Sequence, residues 1–471
     1  MRLSGRGGSV GLRALILALV LALVAGGVAV TVVRCEGKPP VIHAPNALIV
    51  GKETRPFALE IDDEGSGLRH VRAILVTEKG ESPLLERDYP GNPLTGGATK
   101  PSHEHVELSI DVKALGLREG QAKLRVVARD WSWARLLQGN ETTLELPVTI
   151  DLKPPRIGIE NGQTYLERGG SGLVVYTLSK PSARDGVDVG GHFYPGRPFG
   201  KDGLRRLAFF AIPHDAPQDP AIRVVAEDAA GNRAALGWAT HLKERTFPDV
   251  TLNLSPQFLS TKVPELAEAK GVDATDPIAA FQKINSEGRA SDEAHVREIV
   301  KASGDQRLWS GAFEQLKNSK VTSQFAERRS YFVDGKKISQ ATHFGYDLAV
   351  TVASPVTASN SGRVLWADDL GIYGNCVILD HGYGVASLYG HLSRIDVAVG
   401  DLVRAGQQLG LSGSTGLAGG DHLHFAILVD DTYVDPVEWW DPKWIREKID
   451  SLLVPASGGA PEGASAAAQG Q

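Results

Sequence analysis

Five of the chain's thirteen histidines, His343, His381, His391, His422 and His424, fall between residues 343 and 424. Three pieces of that stretch could do chemistry together: His343-Phe-Gly-Tyr-Asp347, Tyr389-Gly-His391-Leu-Ser393 and His422-Leu-His424. His343 and Asp347 stand four apart, a spacing that puts both on one face of either a helix or a strand, so it leaves the backbone undetermined. The last piece says more. In Asp421-His-Leu-His-Phe-Ala-Ile-Leu-Val429, strand alternation sends His422, His424 and Ala426 to one face and Leu423, Phe425, Ile427 and Val429 to the other, so both imidazoles face away from the core. Zinc accepts imidazole nitrogen and carboxylate oxygen, and a catalytic zinc keeps three protein ligands with a fourth position for water. His343, Asp347 and one of the final pair would fill three positions. The two histidines left over suit amide hydrolysis, one to take the proton of water and one to hold the developing oxyanion.

Other candidates read as structural. His103-Glu-His105 has the spacing of a metal pair but opens a strand with no third ligand in sight, and His295 sits alone in an amphipathic stretch. His381 belongs to a Gly-rich turn, and Cys376 in an apolar strand reads as a small buried hydrophobe. Trp439, Trp440 and Trp444 read as cover for a sheet.

From about Val321 to Pro442 the sequence resembles the lysostaphin-like (LytM-type) zinc endopeptidases that cleave peptidoglycan cross-bridges. The resemblance runs through His343-x-Gly-x-Asp347-Leu-Ala349, Pro355-Val-x-Ala358, Gly362-x-Val364, Asp380-His-Gly-x-Gly384, Tyr389-Gly-His391-Leu392, Val399-Gly400, Gly406-Gln407, Gly410, Gly413-x-Thr415-Gly416 and His422-Leu-His-Phe425. It implies one zinc ion per catalytic domain, bound by His343, Asp347 and His424, with His391 and His422 as the catalytic pair. It also implies a compact antiparallel β domain (a duplicated hybrid motif) with a groove across one sheet. The approach to the last pair, Gly416-Leu-Ala-Gly-Gly-Asp421, departs from the Ser-Thr-Gly-Pro of many members, which puts the rim of the groove in question.

These residues must be carried by a longer assembly, since 471 residues exceed one compact domain. With 42% hydrophobic and 23% charged residues the chain is globular rather than disordered, and one long apolar run excludes a polytopic membrane protein. Fifty basic against 56 acidic side chains give a net charge of −6 and no basic excess to hold nucleic acid. Two cysteines are too few for a disulfide framework. Arg2, Arg6 and Arg13 precede the uncharged run Ala14 to Val33, whose helical length of about 30 Å matches a bilayer core. Leading arginines place the N-terminus in the cytoplasm and the rest outside it. An uncleaved anchor fits the run's length better than the alternative of a cleaved signal peptide, and with the resemblance this implies a single-pass bacterial inner-membrane protein with its bulk in the periplasm or extracytoplasmic space.

Behind this anchor (1–36), two segments echo one another. Lys38-Pro39-Pro40 and Lys153-Pro154-Pro155 open them, and Leu124-Arg-Val-Val-Ala-Arg-Asp130 matches Ile222-Arg-Val-Val-Ala-Glu-Asp228. Short alternating β runs predict two immunoglobulin-like β-sandwiches, 37–150 and 151–247. A short helical connector is expected over 248–320, with helices opening near Val263 and Ser291, then the peptidase domain (321–445) and a disordered Gly/Ala/Ser tail (446–471). The fold class is therefore mainly β and multidomain. The expected function is a membrane-anchored zinc metalloendopeptidase acting on peptidoglycan peptide stems. The alternatives are a non-catalytic activator of cell-wall amidases and an enzyme acting on another exported protein. A regulatory envelope protein is a further possible partner.

Overall fold

The computed structural model describes residues 8–453; the first seven residues and, of the tail expected over 446–471, residues 454–471 lie outside the described residues, while the start of that tail is ordered, in a π helix over Ile445–Asp450 that buries Ile449. The chain is mainly β and divides into two compact units, one running to Pro154 and joined by Ala229–Asn232, the other comprising Pro155–Asp228 and the described chain from Arg233 on.

The first unit opens with a helix over Gly8–Arg34, rich in Leu, Ala, Val and Gly; its portion Leu12–Arg34 is long and apolar enough to cross a membrane. Two sheets follow. One orders Val41–His43, Pro56–Asp63 and Ser102–Ser109; the other orders Leu48–Val50, Glu141–Ile150, Gly120–Asp130, Leu68–Thr77 and Gly80–Asp88. Alternate residues of both, among them Leu59, Ile61, Val106, Leu75, Leu124, Val126 and Val148, form one core. His103 and His105 lie exposed on this unit's surface, their Nδ1 atoms 2.5 Å from Asp62 and 2.6 Å from Glu60 across the strand pair, so cross-strand acids rather than a metal account for the spacing.

The second unit begins with two four-stranded sheets built around Ser171–Leu178 with Arg205–Ala211, and Arg184–Val189 with Ile222–Glu227. After them Asp249–Asn253 pairs in parallel with Glu327–Val333, which makes a hairpin with Lys336–His343. The chain between is helical only to Val300, through Pro256–Lys270, Pro277–Lys283, a π turn over Ile284–Gly288, and Arg289–Val300; residues 301–319, expected as part of a helical connector, are irregular. The first of these starts well before Val263, because Ser255 caps it by accepting from the Phe258 amide at 3.1 Å and Pro256 occupies the first turn. The last runs directly out of the π turn, so Ser291 lies inside it rather than capping it.

Most of the remaining strands form an antiparallel sheet in the order Lys320–Ser323, Tyr346–Ala349, Leu423–Val429, Val385–Leu392, Asn375–Gly382, Gly362–Asp369 and Leu402–Val403, with Thr432–Val434 added on Leu423–Val429, while Pro355–Thr357, Gln408–Leu411 and Arg394–Ile395 form a small separate sheet. Its turn at Asp380-His-Gly-Tyr-Gly384 needs glycine at 382, where φ is +84° and a Cβ would stand 1.7 Å from the Gln306 carbonyl. His381 in this turn is fully buried, its Nδ1 2.7 Å from the Ser361 carbonyl and its Nε2 2.7 Å from Ser387 Oγ. Cys376 is buried in its strand. Trp439 is wholly buried against Phe209, Trp309 and Phe313, and its indole N–H donates to Ser171 Oγ at 3.1 Å. The preceding Glu438 accepts from the Ser171 amide at 2.7 Å. The sheets around Ser171 and the C-terminal sheet therefore share one apolar core.

Candidate functional site

His343 ends its strand, Asp347 sits in the next one, and His424 lies opposite Asp347 in register on Leu423–Val429. The link at Gly345 is tight, since a Cβ there would stand 2.6 Å from His424 Cε1, so only glycine lets the ring lie against the backbone. All three side chains are buried. His343 Nε2 is 2.9 Å from Asp347 Oδ1 and 3.0 Å from His424 Nδ1, and the latter is 3.0 Å from the same carboxylate oxygen. His343 Nδ1–H donates to the Gln324 carbonyl at 3.0 Å, which leaves Nε2 as a bare lone pair. Three lone-pair atoms thus converge on one point, an arrangement that a cation or a proton must hold together. Donors on a tetrahedral zinc at 2.0–2.1 Å stand roughly 3.3 Å apart, close to this spacing, and the set of two imidazole nitrogens and one carboxylate oxygen suits such a metal. His424 Nε2, on the far side of its ring, is buried without a protein partner.

Arg329, on the strand Glu327–Val333, donates to Asp347 Oδ2 at 2.8 Å and to Glu327 Oε2 at 3.3 Å. It occupies the second oxygen of the carboxylate and turns Oδ1 toward the histidines. Nothing in the sequence singles out this arginine, because its role depends on a strand pairing that the motif spacing does not encode.

The other two histidines close the site. The His391 and His422 rings lie 4.8 Å apart, and His391 stands 5.8 Å from His424. His391 has φ +64°, a left-handed conformation that non-glycine residues rarely adopt, at a bulge where Gly390 and His391 together face one residue of Asn375–Gly382. Such bulges re-aim a side chain beside a site, and such strain persists only where surrounding structure enforces it. His391 Nδ1–H donates to the Thr415 carbonyl and His422 Nδ1–H to that of Gly420, both at 2.8 Å, which leaves Nε2 of each ring for the site. His422 Nε2 is 3.5 Å from Asp347 Oδ1.

Burial opposes the charge on Asp347, but the adjoining His343, His422 and His424 hold its carboxyl well below the usual range. Burial, reinforced by His422 and His424, holds His391 well below the ordinary histidine value, and burial pushes His424 down to about 4. His422 goes the other way; its bond and attraction to Asp347 outweigh burial. The pair thus contains one imidazole kept neutral and one biased toward the charged form.

All five side chains line a cavity of about 540 Å³. Leu417, Ala418, Gly419 and Gly420 form one rim, the loop whose sequence departs from the common pattern. Another part of the wall comes from the connector: Leu252 and Leu254, Phe258 and Lys262 of Pro256–Lys270, Phe281, and Arg289 beyond the π turn. Sequence reasoning did not assign this wall, since an amphipathic helix reveals that it packs but not on what. His103, His105 and His381 take no part in the site, and His295 packs against Trp366 with ring centres 5.0 Å apart.

Residues 341–436 match the model of Peptidase family M23, and this C-terminal part of the chain is a peptidase M23 domain. Peptidoglycan DD-endopeptidase ShyB of Vibrio cholerae is 34% identical over 118 residues, 25% of this chain and 27% of that protein. DD-carboxypeptidase/endopeptidase Mpg of Neisseria meningitidis is 36% identical over 124 residues, 26% of this chain and 28% of that protein. Among solved structures, the catalytic domain of the antimicrobial peptidase lysostaphin from Staphylococcus simulans is 31% identical, covering 28% of this chain and 98% of that one with a TM-score of 0.24. The chain spans about a quarter of the length of the curated relatives it matches.

Proposed function

We propose that the protein is a membrane-anchored zinc metalloendopeptidase that hydrolyses peptide cross-links of bacterial peptidoglycan. The observation that carries this reading is the convergence of three lone-pair atoms, 2.9–3.0 Å apart, in a groove that also receives His391 and His422. His343, Asp347 and His424 would hold the metal. When bound, zinc lowers the pKa of a water in its open position to about 7 and polarises the scissile carbonyl. His391 and His422, each with Nδ1–H fixed on a backbone carbonyl, present Nε2 to the groove; one accepts the proton of the attacking water and the other, once protonated, donates to the carbonyl oxygen as it gains charge. Arg329 keeps the Asp347 carboxylate oriented. In this reading the N-terminal helix is a membrane anchor that leaves the bulk of the chain in the periplasm, and the two β-rich segments behind it are immunoglobulin-like spacers.

Incubating the detergent-solubilised chain with purified sacculi tests the function. Soluble peptide-cleaved fragments should appear, cease with a chelator and resume on adding zinc. Cleavage of glycan strands alone, or no release at any zinc loading, would contradict it. Arg329→Ala should weaken zinc retention or turnover by about 10–100-fold, the usual effect of removing a group that orients a ligand. Chelator competition and sacculus digestion measure the two; wild-type values in both would remove Arg329 from the site.

A further inference from the structure

A second cluster of possible ligands lies in the first unit, at the exit of the N-terminal helix. Glu36 follows that helix by two residues, Asp63 ends the strand Pro56–Asp63, and Asp130 ends Gly120–Asp130. Their carboxylates offer oxygens that all lie within 4.8 Å of one another. The loop between Pro56–Asp63 and Leu68–Thr77 wraps the glutamate: the Ser66 amide donates to Glu36 Oε1 at 2.5 Å, and a Cβ on Gly65 would stand 1.6 Å from Oε2.

Three acids meeting on a surface would mean little, but two of these are buried and Glu36 is half-buried. Asp63 is 2% exposed and Asp130 not at all, and among the described residues no lysine, arginine or histidine pairs with any of the three. The nearby Arg34 guanidinium donates to the carbonyls of Trp131 and Pro93 instead. Asp130 is satisfied by the amides of Ser132 and Asn140 and by Asn140 Nδ2. Asp63 is not: its Oδ2 is buried with no hydrogen-bond partner. Buried charges are paired or coordinate metals, and this one is unpaired.

The duplicated segment supplies an internal comparison. Asp228 is the counterpart of Asp130 in the repeated sequence, and in both copies the strand leading to the aspartate pairs with the strand after the corresponding loop. In the second copy that loop carries Lys180, whose Nζ is 2.6 Å from Asp228 Oδ2. A protein cation thus stands on the aspartate in one copy where the other gathers two further carboxylates.

We propose that Glu36, Asp63 and Asp130 bind a calcium ion, which clasps the exit of the N-terminal helix to the first β unit. An all-oxygen, carboxylate-rich set is the chemistry of a hard cation rather than of zinc, and calcium's 6–8 oxygens at 2.3–2.6 Å leave room for backbone carbonyls and water beside the three acids. Calcium titrated calorimetrically into the zinc-loaded full chain in detergent should bind at one site, with a dissociation constant of about 10⁻⁴–10⁻³ M, as in extracellular calcium modules. Asp63→Asn and Glu36→Gln should each weaken binding by roughly tenfold or more with zinc content unchanged. Calcium should raise the melting temperature of the wild type and not of the variants. Without calcium, Asp63→Asn should melt no lower than the wild type, because it removes one of three clustered like charges; this separates a lost site from a lost fold. Absence of calcium binding by the wild type, equal affinity in the variants, or an equal response to magnesium would overturn the proposal.

Discussion

Replacing His424 with alanine is expected to strip the chain of zinc and reduce sacculus digestion to background. His424 Nδ1 is one of three atoms mutually 2.9–3.0 Å apart, and with it gone only His343 Nε2 and Asp347 Oδ1 remain, too few for a closed ligand set. The ring also lies against Gly345 and Tyr373, so its loss opens the floor of the site to water. Elemental analysis of the purified variant beside wild type measures the first effect and muropeptide release the second. A variant that keeps one equivalent of zinc and digests sacculi would remove His424 from the ligand set.

His391→Ala should behave differently: zinc stays at one equivalent while turnover falls by about 10²–10⁴-fold, the range for loss of a positioned proton-transfer group. His391 Nε2 is outside the converging triad, and its Nδ1 is committed to Thr415. The positive φ at this position provides a control. His391→Gly removes the same imidazole but relieves the left-handed strain, so it should be more stable than His391→Ala by about 1 kcal/mol and equally inactive. If turnover followed stability across the two variants, the histidine would be structural; equal loss of turnover at unequal stability assigns it to the chemistry.

Much of the site could be read from the chain because its parts lie on strands. The alternation in His422-Leu-His-Phe425 fixes which side chains share a face, and the register opposite Asp347 carries His424 to Asp347 and His343. What the pattern lacked was everything contributed by distant pairing. Arg329 reaches Asp347 only because its strand forms a hairpin with the one ending in His343. The connector was legible as helical, yet its first helix begins at Pro256 through a Ser255 cap, and nothing in its amphipathic pattern announced that Phe258 and Lys262 would face the groove. The alternating β runs likewise predicted strands, while the burial of Trp439 against Phe209 arises from tertiary packing that no local signal contains.

That packing separates what is inherited as a module from what folds as one. The family match covers 341–436, but Trp439 lies beyond its end and is sealed by Phe209, Trp309 and Phe313, all before its start. A polypeptide beginning at Val321 would expose this indole, lose the strand Asp249–Asn253 beside Glu327–Val333, and present a groove with one wall missing. The compact unit that holds the site begins at Pro155, and a shorter fragment would carry the same histidines in a more open groove.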